Sequence, residues 1–183
     1  MIKELQKKIE IGIVIKPDIS EKPANFVYLG IGSNIGNRFI NIEKAKFLLL
    51  KNKISFISIS SYYETPSWPN PKYPKFINVV LKVTCELKTN ELLDLCKKIE
   101  FKLGRKKTFK NAPRECDIDI IDFNSLVLKG ILNLPHKMMH KRNFVLIPLF
   151  EIEKDWFHPL LKTNIKDLIL SLPNKEIRSI KQI

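Results

Sequence analysis

No apolar run in this 183-residue chain approaches the roughly 20 residues that a membrane-spanning helix requires, and the N-terminus has neither the core nor the cleavage site of a secretory leader. The expectation is a soluble, cytoplasmic protein. Cysteine is sparse. Cys85, Cys96 and Cys116 are odd in number and lack paired metal-ligand spacing, which excludes a disulfide framework and a structural zinc site and implies a reducing compartment. Cys116 has no histidine near it in sequence and reads as a buried thiol rather than a nucleophile. A Walker-type phosphate loop is missing too, because Gly30, Gly32 and Gly36 are not followed by Lys-Ser/Thr. Acids are few. Against 32 basic residues stand 19 acidic ones, a net charge of +13 that points to a polyanionic ligand, either a nucleic acid or a nucleotide.

What is present suits one packed domain, with 44% apolar residues and 11 phenylalanines. Residues 1–24, Lys/Glu-rich and then broken by Pro17 and Pro23, read as an appendage to a domain covering 25–183. The pattern predicts a strand over 26–31, a helix over 36–51 and an alternating strand over 54–63. A loop holding Pro66, Pro69, Pro71 and Pro74 follows, then a strand over 76–87 and a helix over 89–103 capped by Thr89 and closed by Gly104. A basic loop leads to a strand beginning at Asp117, a hairpin over 126–132, a helix over 137–150, a helix over 165–172 and a last strand near Ile177. The order βαββαβ with extra C-terminal elements predicts an α+β, ferredoxin-like sandwich, its helices packed on one face of an antiparallel sheet.

The strand Asp117-Ile118-Asp119-Ile120 carries the chemistry. Side chains alternate along a strand, so Asp117 and Asp119 share one face while Ile118 and Ile120 bury on the other. Neighbouring carboxylates repel, and a divalent cation with hard oxygen ligands relieves them. A solvated edge strand presents the same pattern. Residues 97–114 hold eight Lys/Arg against the single acid Glu100, so acids suited to magnesium stand beside bases suited to phosphate.

Five segments, read in order, resemble the 6-hydroxymethyl-7,8-dihydropterin pyrophosphokinases of folate biosynthesis. They are Gly30-Ile31-Gly32-Ser33-Asn34; Ser60-Ser61-Tyr62-Tyr63-Glu64-Thr65-Pro66; Phe76-Ile77-Asn78; Gly104-Arg105 with Pro113-Arg114-Glu115-Cys116-Asp117-Ile118-Asp119-Ile120; and Pro135-His136 with Arg142 and Phe144. The resemblance implies transfer of pyrophosphate from ATP, the co-substrate, to the pterin hydroxymethyl group with release of AMP. It also implies two magnesium ions on Asp117 and Asp119, with Arg105 and Arg114 as catalytic partners of those acids. Glu100, Arg105, Arg114, Ile120, His136 and Arg142 are then expected around ATP. Thr65, Pro66, Trp68, Phe76, Asn78 and Phe144 are expected around the pterin, the two phenylalanines stacking on it and Asn78 reading its edge.

Two positions depart from the family. The loop from Lys106 to Ala112 commonly carries a tryptophan and an arginine in relatives, and here Asn111 stands at the aromatic position, with Lys107 and Lys110 left to supply charge. Lys137 follows His136 where relatives often have an aromatic. Two other functions fit a basic α+β chain: a nucleic-acid-binding module, which needs exposed aromatics on central strands, and a metal-dependent nuclease, which needs more clustered carboxylates. The expected partners are small molecules, without nucleic acid or membrane, for a monomer.

Overall fold

The computed structural model describes residues 24–106 and 111–183. The proposed appendage and the charges of Lys107 and Lys110 lie outside the described residues, apart from Ala24. Strand β1 (Asn25–Ser33) buries Val27, Leu29 and Ile31 on one face, as its alternation demands. Helix α1 (Arg38–Lys51) begins where Asn37 Oδ1 accepts the Ile40 N–H at 3.1 Å. The next strand was expected to be continuous and is instead divided into β2 (Ser55–Ile59) and β3 (Tyr63–Thr65). The break falls at Ser60, whose hydroxyl accepts the Val80 N–H at 2.9 Å in place of a backbone partner. Strand β4 (Phe76–Cys85) is the centre of the sheet.

Helix α2 (Thr89–Lys102) has its cap one residue earlier than expected: Thr89 is its first residue, Lys88 takes the cap position, and the Glu91 carboxylate accepts the Lys88 N–H at 2.7 Å. Gly104, at φ +104°, closes the helix as expected. Strand β5 (Asp117–Phe123) follows. The predicted hairpin at 126–132 is reduced to one bridge between Leu128 and Leu134. The helix predicted from 137 is divided by Arg142, extended at φ −120° and ψ 107°, into a 3-10 turn (Met139–Lys141) and α3 (Asn143–Ile152). Beyond them lie the short β6 (Phe157–His158) and β7 (Thr163–Asn164), then α4 (Ile165–Leu170). Ile177 belongs to α5 (Asn174–Ser179) rather than to a strand, and the closing strand is β8 (Lys181–Gln182) on the edge of β3.

The main sheet is antiparallel, in the order β5-β1-β4-β3-β8 with β2 also beside β4, which is the ferredoxin-like arrangement. Helices occupy both faces, not one. Helices α1 and α2 cover Leu29, Ile31 and Ile118 through Ile42, Leu49, Leu92 and Ile99, while α3 and α4 cover Val80 and Ile121 through Leu146, Leu149, Ile165 and Leu168. Each such buried aliphatic side chain is worth roughly 1.5–3 kcal/mol. The second layer escaped the sequence pattern because its helices are short and α3 is apolar nearly all round.

One irregularity sets the faces of β5. Tyr28 pairs with Asp122 and Leu29 with Ile120, so Ile121 is an extra residue at a bulge. Before the bulge, Asp117 and Asp119 face the α3 side while Ile118 and Ile120 enter the α1/α2 core. After it the phase inverts: Phe123 joins that core, and Asp122 turns to accept the Trp156 indole N–H at 3.0 Å.

Candidate active site

A cleft opens on the α3 side of the sheet, with about 890 Å³ of atom-free space including its mouth. Its floor is bare backbone, since Gly32 pairs with Asp117 and Gly30 with Asp119 across β1 and β5. The acids therefore rise beside a surface without side chains.

Cations surround the acids. Arg105 Nη1 lies 2.5 Å from Asp117 Oδ1, and Arg114 Nη1 lies 3.2 Å from Oδ2. Arg142 Nη1 stands 3.3 Å from Asp119 Oδ2, and His136 Nε2 stands 3.9 Å from it. Burial disfavours the ionised form of Asp117, but Arg114 and Arg105 outweigh it and hold that carboxyl below its ordinary range. Asp119 goes the other way: burial and the charge of Asp117 raise it despite His136 and Arg142. Burial also lowers His136, against the pull of Asp119, which favours the neutral imidazole. Its Nδ1 accepts the Met138 N–H at 3.3 Å, which leaves Nε2–H as a donor on the side of Asp119.

Behind these groups sits Glu100, its carboxylate 2% exposed. It accepts the Ile118 N–H at 2.7 Å on the open edge of β5 and pairs with Arg105 at 2.6 Å and Lys97 at 3.0 Å. Burial raises its pKa despite these partners. Neither Glu100 nor the core residue Ile120 lines the cleft, although both were expected near the nucleotide. Lys97 does line it and was not singled out from the sequence; its signal was membership of the basic cluster.

At the other end the cleft has aromatic walls. Trp68, Phe76 and Phe144 line it with Pro66, Thr65 and Asn78. Asn78 Nδ2 donates to Thr65 Oγ1 at 3.0 Å, fixing the amide so that its oxygen is turned towards Gly32. The Arg142 guanidinium lies 5.2 Å from the centre of the Trp68 ring and 5.5 Å from that of Phe144, and so borders both ends of the cleft. Asn111, at φ +62°, also lines the cleft at the position noted as a departure.

Among the described residues no group of three or more His, Cys, Asp or Glu could hold a metal unaided. The donor set nonetheless suits magnesium, which keeps several waters and takes one or two carboxylates plus substrate phosphates. Asp119, raised in part by the charge of Asp117, has the electrostatic need that such an ion meets. No helix among the described residues is long and apolar enough to cross a membrane. The strand face expected to carry aromatics in a nucleic-acid module carries Asp117, Asp119, Gly30 and Gly32, so that alternative has no support.

The sequence profile of the family described as 7,8-dihydro-6-hydroxymethylpterin-pyrophosphokinase (HPPK) matches residues 28–154. The 2-amino-4-hydroxy-6-hydroxymethyldihydropteridine pyrophosphokinase of Aquifex aeolicus is 40% identical over 142 residues, covering 77% of this chain and 88% of that protein. The folic acid synthesis protein FOL1 of Dictyostelium discoideum is 40% identical over 151 residues, which cover 82% of this chain but only 23% of that longer protein. A crystal structure of a Plasmodium falciparum HPPK-DHPS triple mutant with pteroate superposes with a TM-score of 0.70 at 15% identity, covering 90% of this chain and 48% of that one. The structural likeness bears on the fold. The sequence matches bear on kinship, and by them the chain belongs to the 7,8-dihydro-6-hydroxymethylpterin-pyrophosphokinase family.

Proposed function

We propose that the chain transfers the pyrophosphoryl group of ATP to the hydroxymethyl oxygen of 6-hydroxymethyl-7,8-dihydropterin, giving the pterin diphosphate and AMP. One observation carries the reading: the acid pair stands between a cationic end of the cleft and an aromatic end. Phe76 and Phe144 sandwich the flat pterin, aided by Trp68, and Asn78 and Thr65 read its edge. Arg105, Arg114, Arg142 and the Nε2–H of His136 receive the triphosphate oxygens. The pterin oxygen attacks the β-phosphorus as the bond from the α,β-bridging oxygen breaks; AMP departs and the hydroxyl proton is released. Magnesium, held by Asp117 and Asp119 when bound, supplies charge neutralisation on the triphosphate and a lower pKa for the attacking hydroxyl. Three free, buried cysteines support a reducing, cytoplasmic setting.

Purified protein given ATP, magnesium and the hydroxymethyl-dihydropterin is expected to release AMP, followed by nucleotide chromatography. ADP as the product sinks the reading. Asp117→Ala and Asp119→Ala are each expected to lower turnover at least about 100-fold with unchanged circular dichroism, since both side chains face the cleft rather than the core. Loss of the folded spectrum would make their role structural.

A further inference from the structure

We propose that Asn34 is a positioning residue that locks the pterin-side loop and the Arg114 segment into one frame, so that a single buried amide sets both ends of the cleft. Its kinetic test rests on the function proposed above; its structural test does not. Asn34 directly follows β1 and is 2% exposed. Its Nδ2 donates to Ser67 Oγ at 3.3 Å and to the Pro74 carbonyl at 3.1 Å. The Ser67 hydroxyl donates to the same carbonyl at 3.1 Å. These contacts close the loop that carries Trp68 and leads into Phe76.

On its other side, Asn34 Oδ1 accepts the Arg114 N–H at 2.7 Å, and the Asn34 backbone N–H donates to the Arg114 carbonyl at 3.2 Å. Arg114 is thus held by both its peptide groups, close in sequence to Asp117. Neither 66–75 nor 111–116 contains helix or strand, so their order comes from such side-chain bonds. A carboxamide has two donors and one acceptor oxygen; here the donors serve one loop and the acceptor serves the other. Aspartate keeps the acceptor and loses the donors. Alanine loses both.

That asymmetry gives the test. Asn34→Asp is expected to raise the KM for pterin about tenfold while changing that for ATP less than about threefold, and Asn34→Ala to raise both. Ser67→Ala, which leaves the Asn34 bonds to Pro74 and Arg114 in place, is expected to raise the pterin KM alone, by about threefold. Amide hydrogen exchange on the full chain is expected to quicken in 66–76 and 112–116 of Asn34→Ala with α2 unchanged. A lower Tm with both KM values unmoved, or exchange rising evenly through the chain, overturns the proposal. Should Asn34→Asp fail to fold, Ser67→Ala and the exchange pattern decide. Should the wild type yield no AMP, the functional reading fails and exchange alone decides the role of Asn34.

Discussion

Replacing Glu100 by alanine is expected to destabilise the fold by about 3 kcal/mol, whereas glutamine at the same place is expected to cost about 1 kcal/mol or less. The difference comes from which oxygen does what. Oε1 accepts the Ile118 N–H at 2.7 Å and meets Arg105 at 2.6 Å, while the half-exposed Lys97 is nearer Oε2, at 3.0 Å, than Oε1, at 3.2 Å. Alanine leaves a buried N–H bare, at about 1–3 kcal/mol, and strips Arg105 of one of its carboxylates, at about 1 kcal/mol. Glutamine can keep its oxygen in the Oε1 position, so that the Ile118 and Arg105 hydrogen bonds survive without the charge, and turn its amide nitrogen outward, losing the half-exposed Lys97 pair. It also removes a charge that burial already disfavours. For a chain of this size about 3 kcal/mol lowers Tm by roughly 6–12 °C, well within the reach of calorimetry. Arg105 loses its brace in the alanine variant, so kcat/KM for ATP is expected to fall about tenfold there and little in the glutamine variant. Equal losses for the two variants, or an alanine variant melting with the wild type, would refute the division of labour between the oxygens.

Two further outcomes follow from geometry elsewhere. A Cβ at Gly32 would stand 3.0 Å from Asn78 Oδ1 and 3.3 Å from Phe76 Cδ1, so Gly32→Ala is expected to raise the KM for pterin about tenfold with the ATP value unchanged; an unchanged pterin KM would mean that Asn78 gives way freely. Tyr63 is pushed from 10.0 to about 12 by burial and by its hydrogen bond to Glu151. Its folded pKa is raised, so its contribution is fully present below about pH 10 and is lost as pH rises towards 12. Tyr63→Phe lacks the contribution, about 1 kcal/mol at neutral pH, and the stability curves of the two proteins should converge in alkali when measured by urea unfolding. Parallel curves would contradict the shift.

The acid pair was legible because a period of two needs only neighbouring residues: Asp117, Ile118 and Asp119 announce their faces without help from the rest of the chain. The bulge at Ile121 was not, since it exists only in the pairing of β5 with β1, and it alone explains why Asp122 reaches Trp156. Ser60 shows the same limit. Its alternating surroundings predict continuity, and only the distant Val80 N–H reveals the break. Glu100 was expected beside the nucleotide. Its burial follows from the way α2 meets the open edge of β5, a contact between segments that sequence spacing does not specify. The second helical layer was hidden for a related reason, because an apolar helix broken by Arg142 and containing Pro148 has no polar face to mark its direction.

The glycine floor has a consequence for inhibitor design. Most binding surfaces are made of side chains that substitution can trim, and resistance arises when a contact is trimmed away without loss of activity. Gly30 and Gly32 offer nothing to trim. A Cβ at Gly30 would come within 3.3 Å of Ile121 Cδ1, and one at Gly32 would crowd the Asn78 amide oxygen at 3.0 Å. A compound that rests its flat face on β1, rather than gripping Trp68 or Arg142, leans on the part of the cleft with the fewest routes of escape.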